Sequence, residues 1–281
     1  MTAAHDGASA KGQVAAYFDL DKTVIAKASM AAFRGPLYSG GLLDRRALVR
    51  AAFAQIVYLH LGAAEHRQAR IREVILTLSR GWSAERVGVI VEEALERVVE
   101  PIIYAEAMDL IDTHREAGHR VVIVSASPEE IVLPLARHLG VTEAIASRAA
   151  LDARGRYTGE MAFYAYGPYK AEALRRHAAE HGVDLAESYA YSDSYTDVPM
   201  LESVGHPVAV NADRVLGRLA RERGWESRHF NSPVRLRDRV RGHVRVSPPV
   251  VAISLGACVI GAAALVLGWW LGSNARVRRS G

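Results

Sequence analysis

Four short apolar runs, each closing on polar residues, punctuate the chain: QVAAYFDLD (13–21), HRVVIVSAS (119–127), SYAYSDS (188–194) and HPVAVNAD (206–213). Near-continuous apolar strands that alternate with helical patterns predict an α/β fold, a mostly parallel sheet covered by helices on both faces. In such sheets ligands bind beyond the carboxyl ends of the strands. The polar residues of interest stand at those ends.

Between the first and second runs no strand pattern occurs. Apolar residues recur instead at helical spacing in DRRALVRAAFAQIVYLHLG (44–62), HRQARIREVILTLSRG (66–81) and SAERVGVIVEEALERVVEPIIY (83–104). A βα crossover does not need so much chain, so residues 29–104 read as an inserted helical subdomain. Further on, LDARGRYTGEM (151–161) predicts a β-hairpin with its turn near Arg154 and Gly155.

The C-terminal pattern is different. Residues 250–271, VVAISLGACVIGAAALVLGWWL, form 22 consecutive uncharged positions, about 33 Å as a helix. Trp269 and Trp270 stand at one end and arginines flank both sides, the pattern of an interfacial belt. The expectation is a single transmembrane helix over 250–272, with a basic linker at 235–249 and a basic tail at 273–281. Residues 1–12 carry Asp6 and no apolar signal-peptide core, so they read as a disordered leader. Five arginines before the span against three after it then favour the cytoplasmic side for the folded N-terminal body.

Charge sharpens this division. The net charge is +4, yet from Arg235 onward eight arginines face only Asp238, which leaves the rest of the chain mildly acidic. A folded body of that kind argues against a nucleic-acid-binding surface. The lone Cys258 excludes an intrachain disulfide framework.

The candidate chemistry sits at the strand ends. Asp19 and Asp21 lie two apart, on one side of a strand, where they repel. They are either turn and cap carboxylates or a pair that shares a divalent cation, one acting as nucleophile and the other as acid and base. Thr23 either bonds the loop or is structural. Ser127-Pro128-Glu129-Glu130 fits a capping box, which leaves Ser125 as the hydroxyl free to face a site. Lys170 opens the helical pattern KAEALRRHAAEHG, against the positive end of the helix dipole. It is either solvated or placed to meet a phosphoryl group. Asp193 and Asp197, four apart in YSDSYTDVPML, complete a set of hard oxygen ligands suited to Mg²⁺.

In that order, DLDKT, Ser125, Lys170 and SDSYTD resemble the four motifs of the haloacid dehalogenase (HAD) superfamily. The long helical insertion is similar to its phosphoserine-phosphatase-like branch, subfamily IB, and the likeness spans about residues 13–230. The resemblance implies a Rossmann-like core (13–28 and 105–234), an α-helical cap (29–104) and Mg²⁺-dependent hydrolysis of a phosphomonoester. By it, Asp19 attacks phosphorus, Asp21 handles the proton, and Ser125 and Lys170 hold phosphoryl oxygens. Asp19, the Asp21 carbonyl and Asp193 bind Mg²⁺, and Asp197 ligates it or orders its waters. Phosphoserine phosphatases carry a glutamate nine residues after the nucleophile, where it grips the amino group. Ala28 stands there in this chain, and Ser192, Ser194 and Thr196 replace the family's glycines and asparagine. Lys27, Arg34 and Tyr38 are candidates either for the leaving group or for solvated and packing roles. The expected partner is a phosphomonoester, small or lipid-like and at a membrane. A phosphate-accepting signalling module, a cation-pumping ATPase and a non-catalytic scaffold are the competing classes. The motif order and the single candidate span argue against the first two.

Overall fold

The computed structural model describes residues 12–43 and 67–231, the side chains of 67–71 excepted. Within them a seven-stranded sheet runs in the order β4-β3-β2-β1-β5-β6-β7. Its strands are β1 (Ala15–Asp19), β2 (Arg120–Pro128), β3 (Glu143–Leu151), β4 (Tyr157–Phe163), β5 (Tyr189–Ser192), β6 (His206–Val210) and β7 (Glu226–Arg228). All pairings are parallel except the β3–β4 hairpin. The chain moves outward from β1 to β2 and β3, then returns to β5 on the other side of β1. That reversal opens a crevice at the carboxyl end of β1.

Why β1 is central follows from its residues. All five are buried, and successive side chains alternate between two cores. Tyr17 joins Val122, Val124, Leu174 and Leu216 on one face, whereas Phe18 joins Ile123, Tyr191, Val208 and Ile111 on the other. Phe18 stacks on Tyr191 with ring centroids 4.4 Å apart.

The described helices of the insertion are α1 (Ser29–Ala32), α2 (Arg34–Ser39), α3 (Arg67–Ser79) and α4 (Ala84–Val99). The Ser83 hydroxyl accepts from the Arg86 N–H to cap α4, a contact that contributes about 1 kcal/mol. Val87, Ile90, Val91, Ala94 and Leu95 recur at helical spacing on its buried face. That face is continuous with Ile131 and Leu135 of α6 (Glu129–His138). The insertion therefore shares a core with the sheet's own helices. The remaining helices are α5 (Ala105–Glu116), α7 (Pro168–His181), α8 (Val198–Leu201) and α9 (Arg214–Arg223). The turn expected near Arg154 and Gly155 is present, with Asp152 Oδ1 accepting from the N–H groups of Arg154 and Arg156.

The expectation of a transmembrane helix in the fold is corrected. Among the described residues no helix is long and apolar enough to cross a membrane. The apolar run at 250–272 lies outside the described residues, as do its basic flanks and the pattern at 44–62. The fold is thus an α/β core with helical additions. Membrane anchorage, and the cytoplasmic placement inferred from it, are withdrawn.

Candidate active site

Asp19 is the last residue of β1 and is buried. The chain then turns tightly, with the N–H groups of Val24 and Ile25 both donating to the Leu20 carbonyl. Lys22 takes a left-handed φ of 64° to make that turn, a conformation that costs a side-chain-bearing residue about 1 kcal/mol. The turn sets Asp19, Asp21 and Thr23 together, and the Thr23 hydroxyl donates to Asp19 Oδ2 at 3.3 Å.

Lys170 reaches this point from α7. Gly167 precedes that helix at φ 55° and ψ −128°, backbone open to glycine and hostile to other residues. Lys170 Nζ lies 2.5 Å from Asp19 Oδ1 and 2.8 Å from Asp197 Oδ2, and all three side chains are buried. The helix dipole opposes a cation there, and the two carboxylates override it. The Ser192 hydroxyl also donates to Asp197 Oδ2, at 2.8 Å. Asp193 follows the end of β5, and Lys22 Nζ approaches its Oδ2 at 3.9 Å from solvent.

Asp19, Asp21, Asp193 and Asp197 line one cleft with Lys170 and Lys22. Four carboxylates against two ammonium groups leave excess negative charge. Burial foremost, with repulsion from Asp197, Asp21 and Asp193, pushes Asp19 up to about 8 despite Lys170. Asp193 rises to about 6, again chiefly through burial. Burial works against the Lys170 ammonium, but Asp19 and Asp197 raise its pKa. A hard-oxygen set with uncompensated charge fits Mg²⁺. Glu143, His177 and His181 form a separate group of metal-ligand type. There His177 Nε2 meets Glu143 at 2.9 Å and Nδ1 meets the Tyr17 hydroxyl at 3.1 Å, so both ring nitrogens already have partners.

The β2 end departs from expectation. Pro128 caps α6 without a side-chain bond, so Ser127 is not the capping residue. The β2–β3 register shifts between Ser125 and Pro128, and this bulge turns Ser127 into the cleft. Its hydroxyl donates to Asp21 Oδ2 at 3.2 Å and pairs with the Ser29 hydroxyl at 2.7 Å. The Ser29 N–H donates to Asp21 Oδ1 at 2.7 Å. Ser125 is 1% exposed and accepts from the Ser127 N–H at 3.1 Å. It stands behind the wall that Ser127 lines.

Residues 16–202 match the haloacid dehalogenase-like hydrolase family. The chain belongs to that family. A Streptomyces azureus protein named for inhibition of morphological differentiation is 50% identical over 257 residues, covering 91% of each chain. A Mycobacterium tuberculosis protein bearing a phosphatase name is 47% identical over 93% of this chain and 89% of its own. A phosphoserine phosphatase of the same organism is 34% identical over 86% and 77%. Among solved structures, a Bordetella pertussis protein of unknown function aligns at TM-score 0.66 and 29% identity, over 77% of this chain and 98% of its own. A phosphoserine phosphatase structure aligns at TM-score 0.51 and 19% identity, over 83% and 99%, a likeness of fold. This chain is an HAD-family phosphatase of the phosphoserine-phosphatase-like type.

Within the HAD frame, Asp19, Asp21, Lys170, Asp193 and Asp197 converge on one cleft. Arg34 is exposed at its rim, whereas Lys27 is exposed and off its wall. Tyr38 is likewise exposed and off that wall. Sequence reading missed Ser29, Ser127 and the tyrosines Tyr164 and Tyr166. The only signal for Ser127 was its i+2 spacing from Ser125, which the capping-box pattern masked.

Proposed function

We propose that this phosphatase transfers the phosphoryl group of a phosphomonoester to Asp19 and then to water, with Mg²⁺ as cofactor. The observation that carries this reading is the buried Asp19–Lys170 pair at the carboxyl end of the central strand. A carboxylate so placed is a nucleophile whose charge a neighbouring cation tempers.

Lys170 draws the phosphoryl oxygens into the cleft. An Asp19 oxygen forms a bond to phosphorus in line as the ester P–O bond breaks, and the Asp21 carboxyl gives its proton to the departing alkoxide. Water then attacks phosphorus, its proton passes to Asp21, and the Asp19–phosphorus bond breaks to release inorganic phosphate and restore the carboxylate. The Ser29 N–H and Ser127 hydroxyl aim the Asp21 carboxyl. Ser125 accepts from the Ser127 N–H and so supports the bulge that turns Ser127 toward Asp21. When bound, Mg²⁺ supplies charge neutralisation between phosphoryl oxygens and carboxylates. Asp19, the Asp21 carbonyl and Asp193 would hold it, with Asp197 in support.

The test is inorganic phosphate release from a phosphomonoester panel, with and without Mg²⁺, by wild type and Asp19→Asn. Metal-dependent release that vanishes in the variant is expected. Equal release by both would place the nucleophile elsewhere.

A further inference from the structure

The cleft extends well past the aspartates. Its volume is about 700 Å³, within the usual range for small-molecule sites. The part toward the helical insertion is walled by Met30, Leu76, Trp82, Met161 and Tyr164, all half-buried. Half-buried apolar side chains facing a cavity gain from an apolar occupant, because both surfaces leave water together.

Charge on this wall points the same way. Among the described lining residues the only carboxylates are the four aspartates of the phosphate end, while Arg34 and Arg72 add positive charge toward the insertion. The Arg72 guanidinium lies 5.1 Å from the Tyr164 ring centroid, and Tyr164 stacks on Tyr166 at 5.3 Å. Ala28 also lines the wall and offers no charge. An ammonium group here would lose its hydration and meet two guanidinium groups, with no anion among the described residues of this wall to replace the water.

We propose that the leaving-group half of the cleft selects a phosphomonoester of an apolar alcohol of about aromatic-ring size, without an ammonium group. This rests on the phosphatase reading for the chemistry but on the wall residues for the selection. Apolar walls and an arginine-bearing rim therefore disfavour an amino-alcohol phosphate that brings no carboxylate of its own, such as O-phosphoethanolamine.

The full chain is to be assayed on 2-phenylethyl phosphate and O-phosphoethanolamine, both esters of simple primary alcohols, so that the cavity dominates the difference. In parallel, 3-phenylpropylphosphonate and 3-aminopropylphosphonate, which cannot be hydrolysed, are titrated against Trp82 emission, with Trp82→Phe as the control. The expected result is kcat/KM and phosphonate affinity each at least about tenfold higher for the phenyl compound, a gap that burial of one ring readily supplies. Equal or reversed preference in the binding arm overturns the proposal. A signal that survives Trp82→Phe places the ligand elsewhere and also overturns it. Preferential 3-phenylpropylphosphonate binding with turnover of neither ester upholds the cavity assignment and counts against the proposed Asp19 chemistry alone.

Discussion

The two ends of the cleft are built on opposite principles. At the phosphate end, Asp19, Lys170 and Asp197 are buried, short-bonded and fixed by strand ends and a helix start. At the leaving-group end, Met30, Leu76 and Trp82 are half-buried, on helices of the insertion or beside them, and hold no hydrogen-bonded geometry in common. Buried charge tolerates no loss of a partner, whereas apolar lining degrades by increments. On the proposed reading, the first end sets whether the enzyme works and the second sets on what.

The largest effect is expected from Lys170→Met, which leaves Asp19 and Asp197 without their shared cation. Turnover should fall roughly 10²–10³-fold, and the metal-free protein should lose about 3 kcal/mol in denaturant melts. Part of that stability should return with Mg²⁺. Ser127→Ala removes one hydrogen bond to Asp21 and should lower kcat about tenfold with little change in KM. If KM moves instead, Ser127 grips substrate rather than aiming Asp21.

A pH series probes the same end. Asp19 and Asp193, held near 8 and 6, bind protons more tightly folded than unfolded. Their ionisation therefore weakens the metal-free fold as pH rises from about 4 through those values. Mg²⁺ relieves that repulsion, so its Tm increment should be larger at about pH 8 than at about pH 5, where protons compete for the same oxygens. A flat increment would contradict the carboxylate set.

At the apolar end effects should be graded. Ala28→Glu, which adds a carboxylate to the wall, should shift kcat/KM toward O-phosphoethanolamine over 2-phenylethyl phosphate by about three- to tenfold. An effect on stability alone is expected away from the cleft. His114 is buried against Tyr191, His119 and Phe18, and burial foremost lowers it to about 4. A histidine depressed in the fold costs stability as pH falls from about 6.5 through 4, so His114→Gln should flatten that acid limb by roughly 2 kcal/mol. An unchanged acid limb in the variant would assign the loss to other groups.

The same contrast explains what the chain's pattern disclosed. Asp19 and Asp193 stood out because a strand's apolar run ends abruptly, and period-two geometry then fixes what stands at its end. Lys170 was legible only through motif order, since a lysine opening a helix is ordinarily solvated and its pairing with Asp19 spans 151 residues. Ser127 was misread because a bulge is a property of two strands together, and a local capping pattern competed for the same hydroxyl. The β3 strand escaped notice because EAIASRAAL is only half-buried and alternates weakly. The cavity was invisible because Met30 and Leu76 on helices and Trp82 in the connection between two of them are generic apolar residues until three segments bring them together. Apolar length at 250–272 suggested a span, but no described helix supplies one.

The central claim is that Asp19 carries the phosphoryl group. The most direct measurement is a rapid acid quench of the Mg²⁺-loaded full chain with a ³²P-labelled phosphomonoester, followed by peptide mapping. The account predicts label on the peptide containing Asp19, released by hydroxylamine as an acyl phosphate must be, and absent from Asp19→Asn. Undiminished turnover in Asp19→Asn, or label on any other residue, would contradict it.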